Sequence, residues 1–185
     1  MVVEIAPPRS GARLTLAEFE ALPESTLPTE LIDGELVMSP TPQEDHQTLS
    51  IRLLLLIGTQ LATGRLYHTF NVYLDEGNVV QPDVLWVAPE RTAIIHKRGV
   101  MGAPDLAVEI LSPGSVRRDR VTKHALYERF GVREYWLADP ANRTLEAFTL
   151  HDGRFQPLGI FEQGDAFTSP LLGLTIDLSA LFREP

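Results

Sequence analysis

Three charged side chains in this sequence stand where the surrounding pattern asks for burial. The stretch Asp105–Pro113, DLAVEILSP, reads as a strand with Leu106, Val108 and Ile110 on one face and Ala107, Glu109 and Leu111 on the other. Both faces are otherwise apolar, as in a strand covered on both sides. An ionised Glu109 is costly there unless a cation or a metal answers it. Asp83, in QPDVLWVAP, follows Pro82 at the start of another apolar strand, on the face of Leu85 and Val87. Proline suits that position because it cannot donate to a ladder. Lys123 lies in a helical stretch whose buried face is set by Leu126 and Phe130, with Tyr127 beside them, and it points into the middle of that arc. A lysine so placed needs a counter-charge or loses its proton.

A strand, a short loop and a helix folding back would bring Lys123 towards Glu109. Asp83 and Glu109 on neighbouring strands would form a hard oxygen site of the kind Mg²⁺ takes, one or two carboxylates with waters and substrate phosphate completing the shell. A lysine beside that metal could orient or deprotonate the attacking water and stabilise developing charge. Two acids, one lysine and a divalent metal suffice for phosphodiester hydrolysis. The same residues also allow plainer roles: a metal-free Glu109–Lys123 ion pair, a turn acid at Asp83, or a Lys123 whose stem lies on the sheet with its amine in water.

The elements that must position these residues are legible in part. LTLAEFEALP predicts a short helix with Thr15 as N-cap and Glu18 as its capping-box partner, and TELIDGELVMSP predicts two strands around Asp33-Gly34. PQEDHQTLSIRLLLLIGTQLATG predicts a long amphipathic helix ending at Gly64. RLYHTFNVYLDE, NVVQPDVLWVAP and PDLAVEILSP then read as three strands, and a second helix runs from about Val116 to Phe130, stopped by Gly131. REYWLADP, TLEAFTL and RFQPLGIFE give further strands, and LTIDLSALF a short strand with a helical turn. The order predicts an α/β chain in the α+β sense: a mixed sheet flanked by helices, in one domain spanning 1–185 with a loose segment at 1–12.

The chain has 185 residues, 44% hydrophobic and 22% charged, with a net charge of −9 and no cysteine. That excludes disulfide scaffolds and thiolate metal sites and fits a cytoplasmic protein. No signal peptide is read at the N-terminus, and LLLLIG at 53–58 is far too short to span a bilayer. The stretch Arg117–Arg133 carries +4 and the remainder −13, so any contact with an anionic substrate is local. Ser112 has neither a neighbouring histidine nor nucleophile-elbow glycines. The five histidines show no metal-ligand spacing, and there is no glycine-rich phosphate loop. A paired-carboxylate glycosidase would leave the lysine without a role.

Pro82-Asp83, followed by the strand-centred Glu109, resembles the PD-(D/E)xK nuclease superfamily. The resemblance is closer to one branch of it, the Uma family of restriction-endonuclease-like proteins. The similar stretches are ELIDGELVMSPTP with His46 opening the helix; VVQPDVLWV; GAPDLAVEILSPGSVRRDRVTKHALYERFGVREYWLADP; and LLGLTIDLSALF, together about 28–182. The resemblance implies a restriction-endonuclease-like core with extra strands, and a Mg²⁺- or Mn²⁺-dependent endonuclease acting on DNA. It implies Asp83 and Glu109 as metal ligands, with Glu35, in DGELV, as an assisting acid. Leu111 occupies the position where the superfamily carries its lysine, and Lys123 on the following helix stands in for it. Arg117, Arg118 and Arg120 could meet the phosphate backbone, and His46 and Gln81 could line the cleft. A homodimer would supply the two sites that a double-strand cut takes.

Overall fold

The computed structural model describes residues 9–23 and 25–183. Helix α1 (Leu16–Glu20) starts on the predicted capping box: Thr15 accepts from the Glu18 N–H, and the Glu18 carboxylate accepts from the Thr15 N–H. Strands β1 (Thr29–Ile32) and β2 (Glu35–Met38) form the predicted hairpin. Asp33 and Gly34 both have positive φ, 48° and 77°, as a two-residue turn between twisted strands requires. Of the N-terminal segment expected to be loose, residues 1–8 lie outside the described residues. From Gly11 the chain is tied to β2, the Gly11 N–H donating to the Leu36 carbonyl and the Leu36 N–H to the Ala12 carbonyl.

Helix α2 (Glu44–Gly58) is shorter than predicted and does not reach Gly64. Gly64 instead sits at φ +82° with the Trp86 ring against its α-carbon. RLYHTFNVYLDE is two strands, β3 (Arg65–His68) and β4 (Val72–Asp75), and NVVQPDVLWVAP is also two, β5 (Asn78–Val80) and β6 (Val84–Val87). In each pair the two strands belong to different sheets. Beyond β6 come a 3₁₀ turn (Pro89–Ile94), β7 (Ile95–His96), β8 (Gly99–Met101) and β9 (Leu106–Ile110). A π-helical turn (Arg118–Lys123) runs into α3 (His124–Phe130), which Gly131 ends in the left-handed conformation. Strands β10 (Glu134–Asp139), β11 (Thr144–His151), β12 (Arg154–Glu162), β13 (Ala166–Thr168) and β14 (Thr175–Asp177) precede the terminal turn α4 (Leu178–Leu181).

The fold is α+β as expected, but with two six-stranded mixed sheets in place of one. The first has the order β2-β1-β5-β4-β8-β7 and the second β12-β11-β10-β9-β6-β3; β13 and β14 form a separate hairpin. The second sheet has apolar cores on both faces. Leu106, Val108 and Ile110 pack with Leu53 and Ile57 of α2 and with Trp136. Ala107 and Leu111 face Leu126 and Tyr127 of α3, together with Ile32, Val72, Val80 and Val100 of the first sheet. All five residues of β9 are buried, so the alternation read from the sequence holds, and Glu109 belongs to the face that looks at α3 and the first sheet. No described helix is long and apolar enough to cross a membrane.

Candidate active site

Asp83 owes its position to the change of sheet. Between β5 and β6 the chain crosses from one sheet to the other through Gln81-Pro82-Asp83, and between β3 and β4 it makes the same crossing through Thr69–Asn71. Proline fits such a crossing because no ladder hydrogen bond is asked of it. Strands β6 and β9 are antiparallel with Val84 opposite Val108, so the register continued by one residue sets Asp83 against Glu109. Asp83 Oδ2 accepts from the Ile110 N–H at 2.7 Å and lies 3.3 Å from His46 Nε2, in the first turn of α2.

Lys123 reaches this place from the helical side, as predicted. Its Nζ donates to Glu109 Oε1 at 2.9 Å and lies 2.7 Å from Glu30 Oε1 and 3.9 Å from Asp119 Oδ1. The Lys123 side chain is 3% exposed, so it does not extend its amine into water. The π-helical turn contributes here: the His124 N–H bonds the Asp119 carbonyl five residues back. Asp119 and Lys123 are both buried on this turn. Such turns recur at functional sites. Tyr127, one α-helical turn after Lys123, donates its hydroxyl to Glu109 Oε1 at 2.7 Å.

Glu30, Gln81, Asp83, Glu109, Asp119 and Lys123 lie in the wall of a cavity of about 220 Å³, with Tyr127 behind it. Four carboxylates (Glu30, Asp83, Glu109, Asp119) face two obligate cations, Lys123 and Arg118. Burial pushes the Glu109 carboxyl well up; Lys123 opposes this, and the neighbouring carboxylates Asp119, Asp83 and Glu30 add to it. Burial pulls the Lys123 ammonium down, but Glu109, Glu30 and Asp119 outweigh it and hold it above its ordinary value. Burial also lowers His46, and the hydrogen bond and charge of Asp83 reverse that to a net rise. Asp119 is raised by burial, against Lys123. The cavity therefore holds one firmly charged ammonium among more acids than it can neutralise.

Of the residues singled out from the sequence, Asp83, Glu109, Lys123, His46, Gln81 and Arg118 meet at this cavity. Glu35 does not. It is exposed at the start of β2, next to Arg13, and the hairpin turn carries it away. Glu30, on β1 of the same hairpin, occupies the place expected of it: 3% exposed, accepting from the Gln81 N–H at 2.8 Å and contacting Lys123. The signal was available, since Glu30 interrupts an apolar strand as Glu109 does. Arg117 is exposed and lies outside the cavity wall, and Arg120 turns away to pair with Glu146. Asp119 and Tyr127, four residues to either side of Lys123, are the other members the sequence reading left out. Among the described residues no group of three or more His, Cys, Asp or Glu side chains is set to hold a metal ion by itself. The oxygen-donor chemistry nonetheless suits Mg²⁺, which asks for one or two carboxylates, and a divalent cation would offset the surplus negative charge.

Two mixed sheets flanked by helices, with the acids gathered where the chain passes between sheets, make up a nuclease-like α+β fold. The chain belongs to the Uma2 family, described as "Putative restriction endonuclease", whose model matches residues 16–179. Its structure is similar to that of "a putative nuclease belonging to DUF820 from Anabaena variabilis", with a TM-score of 0.77, 22% sequence identity, and 91% of this chain and 97% of that chain covered. No curated protein matched the chain.

Proposed function

We propose that this protein is a metal-dependent nuclease that hydrolyses DNA phosphodiester bonds in the cavity between Asp83, Glu109 and Lys123. One observation carries the reading. Although Leu111 occupies the position two residues after Glu109, a lysine arrives from the following helix and stands 2.9 Å from Glu109. Asp83 and Glu109 would hold Mg²⁺ or Mn²⁺. When bound, such an ion polarises a phosphoryl oxygen and lowers the pKa of a coordinated water. Lys123 is held charged by its carboxylates, so it does not serve as a base. Its role is to present N–H donors to a phosphate oxygen and to stabilise the charge that builds there. Glu30 holds Lys123 in place and also fixes the Gln81 backbone. The Ile110 N–H and His46 orient Asp83. Arg118, whose Nη2 donates to Ser39 at the cavity rim, is the arginine placed to meet a phosphate. A pair of chains would supply the two sites a double-strand cut takes.

The test is cleavage of plasmid and single-stranded DNA in Mg²⁺, Mn²⁺ or EDTA, with folded Asp83→Ala and Lys123→Ala variants alongside. The expected result is metal-dependent cutting that each substitution lowers by at least about a hundredfold, the scale of losing one transition-state donor. A wild type that binds DNA but cuts neither form supports a second reading, a nuclease fold that only binds. That reading has its own observation: Glu109 Oε1 is already satisfied by Lys123 and Tyr127 without a metal. RNA cut in preference to DNA would move the substrate and leave the site standing.

A further inference from the structure

A second, larger groove of about 840 Å³ adjoins the acidic cavity. The two share Pro28, Thr41, Pro42 and Gln81 in their walls. Its size lies within the range of pockets that enclose small organic groups. One side is apolar, with Phe19, Leu22, Leu36 and Met38; the other carries His68, Thr69, Asn71 and Gln81. The polar side is built from the two crossings between sheets. Thr69 N–H donates to the Asp83 carbonyl at 3.1 Å, and Gln81 Nε2 donates to Asn71 Oδ1 at 3.0 Å, stitching the crossings together. Thr69 takes φ +46°, a strained conformation for a β-branched residue and of the kind that persists where the surroundings enforce it.

The amide pair has a chemical consequence. Bonded to each other by one donor and one acceptor, Gln81 and Asn71 keep Gln81 Oε1 and Asn71 Nδ2 without a partner among the described residues. A free acceptor and a free donor are thereby presented by two neighbouring, half-buried side chains at the edge of an apolar slot. Every unpaired base shows a donor beside an acceptor, as adenine does with N6 and N7, so two such amides suit a base edge. Gln81 also donates its backbone N–H to Glu30, the partner of Lys123, and stands two residues from Asp83.

Resting on the nuclease reading above, we propose that this groove takes an unpaired nucleobase next to the scissile phosphate and that Asn71 and Gln81 read its edge, so that one base is favoured there over the others. The base stacks along the apolar wall while its sugar-phosphate continues into the acidic cavity. Because the two amides are recessed, the base has to leave a duplex to reach them. Single strands, loops and frayed ends are therefore better substrates than paired DNA.

The experiment has two arms. In the first, single-stranded DNA with one randomised stretch is cut in Mg²⁺ and the ends are sequenced. Wild type is expected to favour one base at one fixed position beside the cut by about 10- to 100-fold, the scale of one bidentate contact. Asn71→Ala is expected to flatten that preference, and annealing the complementary strand to slow cutting at the same sites. In the second, oligonucleotides carrying each of the four bases or an abasic residue at that position, or at every position in turn if nothing is cut, are titrated in Ca²⁺ and in EDTA. The oligonucleotide with the favoured base is expected to bind at least about tenfold tighter than the abasic form in wild type and equally in Asn71→Ala. Absence of cutting with base-dependent binding retained would sink the nuclease reading alone. No base preference in either arm, or a preference that Asn71→Ala leaves intact, overturns this proposal and makes the amide pair a brace between the two crossings.

Discussion

Replacing Lys123 by methionine keeps the length of the stem and removes the charge. The structure gives the ammonium two close carboxylate contacts, 2.7 Å to Glu30 and 2.9 Å to Glu109, with all three side chains about 5% exposed or less. At an effective dielectric of about 20, each contact has a Coulomb energy of roughly 6 kcal/mol. Most of that is offset by the cost of taking the charges out of water. What stays is the penalty of leaving buried carboxylates without their cation, typically about 3–5 kcal/mol. For a chain of this size that corresponds to a drop in Tm of roughly 6–20 °C. The pH dependence separates this cause from a simple packing loss. In wild type the raised Lys123 pKa contributes stability that is fully present below its ordinary value of 10.5 and is lost as pH rises through the folded value. In the variant, burial acts on Glu109 and Asp119 without the Lys123 charge to oppose it and drives them further towards binding protons, so its stability falls more steeply than that of the wild type as pH rises. The deficit between the two proteins is therefore largest near pH 8 and shrinks below about pH 5. Urea unfolding of both proteins at pH 8 and pH 5, without added metal, reads it directly. A deficit below about 1 kcal/mol at pH 8, or one equal at both pH values, would refute the reasoning and mean that Lys123 does not hold these acids together.

Two further outcomes follow from the same geometry. Glu109→Gln keeps an oxygen for Lys123 and Tyr127 but removes the buried charge. Because the folded pKa of Glu109 is raised, the wild type loses stability as pH climbs above the ordinary 4.5, a loss the variant lacks. Its stability relative to wild type is expected to improve from pH 5 to pH 8 by denaturant titration while cleavage is lost; a relative stability that worsens with pH would contradict the raised pKa. Gly64→Ala places a Cβ 2.4 Å from Trp86 Nε1 at φ +82°. Left-handed strain of about 1–2 kcal/mol and overpacking of about 1–3 kcal/mol are expected to add. A calorimetric Tm within about 2 °C of wild type would show that the Trp86 ring yields.

The sequence by itself determined the charged residues that had to find partners. Glu109 in an apolar strand and Lys123 in an apolar helical arc each break a local pattern, and burial without a counter-charge is too costly to stand, so their pairing could be inferred from two short stretches. The capping box at Thr15 and the Asp33-Gly34 hairpin were legible for a related reason: neighbouring residues satisfy them. Only the tertiary structure decided where the chain leaves one sheet for the other. A continuous β-rich run such as NVVQPDVLWV has the same alternation whether it is one strand or two, and nothing in the period marks the crossing at Gln81–Asp83. That crossing exposes Asp83 to the cavity, sets Gln81 beside Asn71, and brings Glu30 from another sheet to Lys123 while the hairpin turn carries Glu35 away. Partners 93 residues apart in sequence, as Glu30 and Lys123 are, meet only because two sheets and a helix bury one core between them; local spacing holds no record of that packing.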